Sequence, residues 1–297
     1  MLEPTVPSET CLAILGPGLL GGSVALAARR CWPALRIQVW ARREGALAGV
    51  EVLGVADRVT TDLAEVVAGA TMVVLATPVE TMPELAAQLA ALLLEKGAVV
   101  TDVGSVKGFV VDQLEPLFAG GAAVFVGSHP MAGSERAGIE AARGDLFDGA
   151  ACLVTPTAQT EAAAVERVRG FWQGLGCRVI EMSPEQHDRE VARVSHLPHL
   201  MAAVTTLAGL SQDPGALRCA GNGFRDTTRV AAGDPGLWTG IVAQNRTEIL
   251  AAVREAEAQI RVLLEMLESL DEDSLCQWFA EAKSLRDRLP GPPFAQG

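Results

Sequence analysis

LAILGPGLLGGS, residues 12–23, decides how the rest of the chain is read. An apolar run ends at Gly16, and Gly16, Gly18 and Gly21 form a Gly-x-Gly-x-x-Gly pattern that leads into an Ala- and Leu-rich segment reaching about Arg30. This is the pattern of a strand, a tight turn and the start of a helix. Gly16 permits the turn, Gly18 lets backbone approach a pyrophosphate, and Gly21 allows the helix to pack closely on the strand. The helix N-terminus, with Leu19 and Leu20 in its first turn, presents free N–H groups and a positive dipole end to phosphate. Ordinary loops also carry glycines at this spacing; the flanking strand and helix favour a dinucleotide site.

Working outward, RIQVWA (residues 36–41) reads as a second strand. A fold that binds NAD places an Asp or Glu near the tip of that strand, about twenty residues past the glycines, for the ribose hydroxyls. Here Ala41, Arg42 and Arg43 occupy the tip. Two guanidiniums pair with a 2′-phosphate that a carboxylate would repel, which points to NADP, with NAD possible. The other reading is a solvated basic turn. TMVVLATP (71–78), a helical stretch to about residue 94, and AVVTDVGS (98–105) continue the βαβ rhythm of a parallel sheet, whose ligands lie at strand C-termini. Thr77 and Pro78 fall at such an end. In TDVGSVKG, Ser105 either caps the next helix or faces a ligand. Lys107 lies in the first helical turn, where the dipole disfavours a cation unless an anion or open solvent is near, so a ligand-facing loop is expected. His129 follows the apolar run AAVFVGS directly, where ligands bind in such sheets, and its near-neutral pKa suits proton transfer.

The alternation ends at Ser183-Pro184. Residues 1–184 read as a Rossmann-like α/β domain that binds a dinucleotide, and residues 185–297 as an all-α domain. A long helix is expected from residue 185 to about 210, kinked at Pro198. His196 and His199 share a face, but without HExxH or further ligands at fitting spacing no metal site is expected. His187, among Glu185, Asp188 and Arg189, reads as solvated surface. In GNGFRDTTRVAAGDPGLW (221–238), Arg225 and Arg229 are four apart with Asp226 between them. Such a pair is either exposed and balanced by acids or shares an anion. One long amphipathic helix is expected over residues 237–270, providing core or a dimer face.

With 297 residues, 49% of them hydrophobic and 20% charged, the composition fits a soluble globular protein, and roughly eighteen consecutive uncharged apolar residues, as a membrane span would need, never occur. MLEPTVPSET has no signal-peptide pattern, and six cysteines without CxxC spacing read as mostly buried thiols of a cytoplasmic protein. A net charge of −12 argues against nucleic-acid binding and leaves any anionic ligand to local arginines.

GPGLLGGS, DVGSVKG, GSHPMAGSE, SHLPH and GFRDTTR, in that order, resemble the motifs of the prephenate and arogenate dehydrogenases of tyrosine biosynthesis, over residues 11–290. The resemblance implies an N-terminal Rossmann-like domain, a helical domain that forms a homodimer, and an active site between them for a small-molecule substrate. It implies that His129 is the base for the ring hydroxyl and that Ser105 orients His129 and the nicotinamide. Arg229 would clamp a substrate carboxylate, and Arg225 would serve the side-chain end. Ser195 and His199 match substrate-cleft positions, Glu135 and Asp226 match charged positions around the arginines, and Trp238 matches one near the partner's cleft. No chorismate mutase or ACT regulatory segment is expected. A β-hydroxyacid dehydrogenase would need a lysine at the start of the helical domain, and the lysines here are Lys96, Lys107 and Lys283. A non-catalytic NADP sensor would have lost His129 or the arginines, which are present.

Overall fold

The computed structural model describes residues 11–92, 97–134, 136–211 and 213–289. The first half of the chain runs β1 (Cys11–Leu15), α1 (Leu19–Cys31), β2 (Arg36–Trp40), α2 (Ala48–Leu53), β3 (Arg58–Thr60), α3 (Leu63–Val67), β4 (Met72–Leu75) and α4 (Met82–Leu92). It continues through β5 (Ala98–Asp102), α5 (Gly108–Phe118), β6 (Ala123–Pro130), β7 (Ala151–Thr155), α6 (Ala162–Gly174) and β8 (Arg178–Glu181). The strands form one sheet in the order β3-β2-β1-β4-β5-β6-β7-β8. All neighbours are parallel except β6 and β7, which run antiparallel with His129 opposite Leu153.

The central strands are apolar on both faces because helices cover both. In β1, Leu12 and Ile14 enter a core with Val24 and Ala28 of α1 and Trp172 of α6, while Ala13 and Leu15 enter one with Leu85 and Leu89 of α4 and Leu114 of α5. The period of two is repeated in β4, with Met72 and Val74 on the first face and Val73 and Leu75 on the second.

The second half is helical: α7 (Pro184–Val191), a π-helical turn (Ala192–His196), α8 (Leu197–Leu210), α9 (Asn222–Thr228), α10 (Pro235–Gln244), α11 (Arg246–Ser269) and α12 (Glu272–Asp287). Two expected continuous helices are interrupted. The first breaks in the π-turn rather than at Pro198, which sits in the first turn of α8 where its missing N–H is no loss. The second breaks at Asn245 (φ −110°, ψ 32°), which separates α10 from α11. Of the six cysteines, Cys11, Cys152 and Cys177 are buried, whereas Cys219 and Cys276 are exposed, so the thiols are less sheltered than expected. No described helix is long and apolar enough to cross a membrane.

Candidate active site

The chain leaves β1 toward β2 on one side and returns at β4 on the other, so the crevice beyond the ends of β1 and β4 is the sheet's topological switch point. Gly16 has φ +107°, and a Cβ there would lie 2.5 Å from the Ala76 carbonyl oxygen. A Cβ on Gly21 would lie 2.0 Å from the Gly16 carbonyl oxygen. Both positions therefore require glycine. Beside Gly18, the N-cap of α1, no atom lies within 4 Å of a built Cβ, which leaves the approach to the helix N-terminus open. A cavity of about 410 Å³ lies alongside, lined by Gly16, Pro17, Arg42, Arg43, Thr77 and Pro78 among others. Leu19 and Leu20 are half-buried in the first turn of α1. Buried Thr77 Oγ1 has no hydrogen-bond partner among the described residues. The open glycine, the exposed guanidiniums and the orphaned hydroxyl fit a dinucleotide.

His129 sits near the end of β6 in a tightly tied strand. Ser128 donates its N–H to Asp102 Oδ1 (3.0 Å) and its hydroxyl to the Asp102 carbonyl (2.6 Å), and accepts from Trp172 Nε1 (2.9 Å). Lys107 Nζ pairs with Asp102 Oδ2 and donates to the Ser128 carbonyl at 3.0 Å. Lys107 and Asp102 are both fully buried, and burial pushes the Asp102 carboxyl up against the opposing pull of Lys107. The inference from Lys107 to a ligand-facing loop is thus corrected: the anion that offsets the helix dipole is Asp102, five residues earlier.

The imidazole of His129 meets the helical half of the chain. Its Nδ1 lies 2.9 Å from His187 Nε2, and His187 Nδ1 lies 2.8 Å from Asp188 Oδ1. Asp188 in turn accepts the N–H groups of Lys107 (2.7 Å) and Gly108 (2.8 Å), while Asn245 Nδ2 donates to its carbonyl (2.9 Å). His187 is completely buried, which overturns its reading as solvated surface. Pro184, His187, Asp188 and Val191 all lie on the buried stripe of α7, a helical i, i+3, i+4, i+7 set that was readable from spacing had the flanking charges been set aside. Burial, more than the neighbouring His187, Lys107 and His196, holds the imidazole of His129 well below its ordinary pKa, and burial takes His196 down to about 4. Both rings are neutral near pH 7.

Ser105 is half-buried in the loop between β5 and α5; the partner of His129 Nδ1 is His187. Ser195 is half-buried in the π-turn, and buried His199 stacks on Trp238 of the same protomer, with ring centroids 3.3 Å apart at 19°. Trp238 thus has a partner within its own chain. Gly233 fits beneath this pair, since a Cβ there would come within 3.0 Å of both rings. Arg225 and Asp226 are exposed on α9, and Arg229 begins the 3₁₀ turn Arg229–Ala232 that packs on α8 and leads to Gly233. Glu135 lies outside the described residues.

A dinucleotide crevice at the switch point of a mostly parallel sheet, joined to helices through a buried histidine pair, defines a two-domain nicotinamide-dependent oxidoreductase. The family model for the prephenate dehydrogenase nucleotide-binding domain matches residues 24–181, and that for the prephenate dehydrogenase dimerization domain matches residues 183–281. A prephenate dehydrogenase of Bacillus subtilis is 36% identical over 94% of this chain and 76% of its own length. A cyclohexadienyl dehydrogenase of Zymomonas mobilis is 34% identical, covering 93% of this chain and 94% of its own. The crystal structure of Aquifex aeolicus prephenate dehydrogenase with hydroxyphenyl propionate and NAD+ superposes with a TM-score of 0.87 at 33% identity, over 96% of this chain and all of that one. The chain belongs to the prephenate dehydrogenase family.

Proposed function

We propose that this chain oxidatively decarboxylates prephenate to 4-hydroxyphenylpyruvate with NADP+, as a homodimer, and that His129 is its base. The observation that carries the reading is His129, buried near the C-terminal end of β6 on the sheet edge that bears the dinucleotide crevice and hydrogen-bonded to His187. A bound nicotinamide supplies the two-electron acceptor while the ring carboxylate leaves as carbon dioxide and the ring becomes aromatic. His129 takes the proton of the ring hydroxyl. Ser105, in the loop between crevice and histidine, aligns that hydroxyl with the nicotinamide. Arg229 holds a substrate carboxylate, with Arg225 and Asp226 on the preceding helix α9, and Ser195, His199 and Trp238 form the wall on the helical side. The family's dimerization domain and the exposed apolar residues Val204, Leu207, Ile260, Leu264 and Leu267 on α8 and α11 support a second copy over that face.

The cofactor preference rests on Arg42 and Arg43, which line the cavity where a 2′-phosphate would lie. Arg42→Ala/Arg43→Ala should raise KM for NADP+ by about 10- to 100-fold and leave that for NAD+ within about threefold, the loss expected of charge-assisted phosphate contacts. Steady-state assays of wild type and variant with both cofactors check this, and equal changes for both would contradict the assignment. Arg229→Ala should raise KM for prephenate by about 100-fold, the size of a lost charge-assisted clamp of about 3 kcal/mol, and Arg229→Lys should recover little because an ammonium lacks the planar fork. Initial rates against prephenate concentration test it; an unchanged KM would remove Arg229 from the site. The relative named cyclohexadienyl dehydrogenase motivates the same assays with arogenate, where higher kcat/KM than with prephenate would make arogenate the substrate.

A further inference from the structure

Two groups, His187 and Asp188, stand in line behind the proposed base, and the way they can hydrogen-bond fixes where the protons lie. Asp188 has both carboxylate oxygens engaged as acceptors, Oδ1 by the Lys107 N–H and Oδ2 by the Gly108 N–H, at the N-terminal start of α5. His187 Nδ1, 2.8 Å from Oδ1, therefore donates. A neutral imidazole has one donor and one acceptor, so His187 Nε2 accepts, and burial keeps that ring neutral by driving its pKa down to about 2. Across 2.9 Å, His129 Nδ1 can then only be the donor, which leaves His129 Nε2 with its lone pair. A ring read in the opposite tautomer would set two lone pairs against each other at the buried contact.

We infer that Asp188 and His187 are positioning residues that hold His129 in the tautomer protonated on Nδ1, with Nε2 bare as the basic atom, and that this chain shares the proton His129 takes up. The inference rests on the reading of His129 as base. As Nε2 accepts the hydroxyl proton, the Nδ1 proton moves toward His187 Nε2, and the Nδ1 proton of His187 moves toward Asp188. One proton enters the chain and one charge is spread along it, with no water needed in the buried seam. The other groups facing the pair are Lys107 from the β5–α5 loop, already paired with Asp102, and His196 from the π-turn, joined to Asn245 at 3.3 Å. Asn245, at the junction of α10 and α11, also binds the Asp188 carbonyl, so the helical break found there serves the same chain.

The sequence holds four histidines, His129, His187, His196 and His199, so the untagged full-length protein labelled with ¹⁵N-histidine gives few imidazole signals, assignable by single substitutions. The expected spectrum at neutral pH has His129 protonated on Nδ1 and bare on Nε2. His187→Leu should lose that tautomer preference and lower kcat by about 10- to 100-fold with KM within about twofold, as for loss of a group that orients an active-site ring. His187→Gln, which can set a carbonyl oxygen where Nε2 was, should restore the tautomer and most of the rate. A wild-type His129 protonated on Nε2, or a His187→Leu enzyme with wild-type kcat, overturns the inference. His129→Asn separates the two readings: wild-type kcat in that variant overturns the base assignment, and the relay's catalytic role with it, whereas a large loss there beside an unaffected His187→Leu overturns the relay alone.

Discussion

His129→Asn should lower kcat for prephenate by about 1,000-fold, within the range that a positioned general base contributes, while KM stays within about threefold. Asn sets an amide nitrogen near the place of Nδ1, so the contact to His187 has a replacement and the packing at the end of β6 is kept. What is removed is Nε2. The pH dependence carries the same signature: because burial holds the His129 imidazole well below its ordinary value, the base is neutral across the neutral range. The rate falls only as pH drops below about 6.5 toward the folded-state value, where the ring gains its proton and can no longer accept one. The variant should lack that acid limb. A pH profile of kcat for both proteins checks each part, and a variant within tenfold of wild type would refute the base.

Lys107→Met should cost about 3–5 kcal/mol of stability, because it leaves the Asp102 carboxyl fully buried without its counter-charge. The same change removes the donor to the Ser128 carbonyl and loosens the strand end that carries His129. Lys107→Met/Asp102→Asn should regain most of the loss, since the amide oxygen still accepts from the N–H of Ser128 or Gly104 and no charge is buried. Denaturant unfolding of the two variants and wild type measures this directly. A loss below about 1 kcal/mol in the single variant would mean that the carboxyl is neutral in the folded protein and the pair is not an ion pair.

The parts of the fold legible in the sequence are those whose cause is local. Gly21 is required by its approach to the Gly16 carbonyl and Gly16 by its positive φ at the turn, both within one contiguous strand–turn–helix unit, although the carbonyl that a Cβ on Gly16 would strike belongs to Ala76. β4 and β5 are short apolar runs bounded by turns, as strands covered on both faces are. β3, only three residues long and partly exposed, has no such run. The antiparallel pairing of β6 and β7 was hidden because an apolar run carries no direction. The site divides in the same way. Arg42, Arg43 and Thr77 follow strand ends and His129 lies near one, and that position is what marked them as candidates. His187, Asp188 and Asn245 reach the site through bonds to residues 57 to 81 positions distant, and the charges flanking His187 made it look like surface. Lys107 sat within a recognised motif, yet its counter-ion Asp102, five residues earlier in the same stretch, was not recognised as such.

The most direct test is product stoichiometry on the purified protein with prephenate and NADP+. Reduced nicotinamide, carbon dioxide and 4-hydroxyphenylpyruvate should appear in equal amounts, since proton removal, electron transfer and decarboxylation belong to one reaction. Folded protein that binds NADP+ yet gives no turnover with prephenate or arogenate, with either cofactor, would contradict the account.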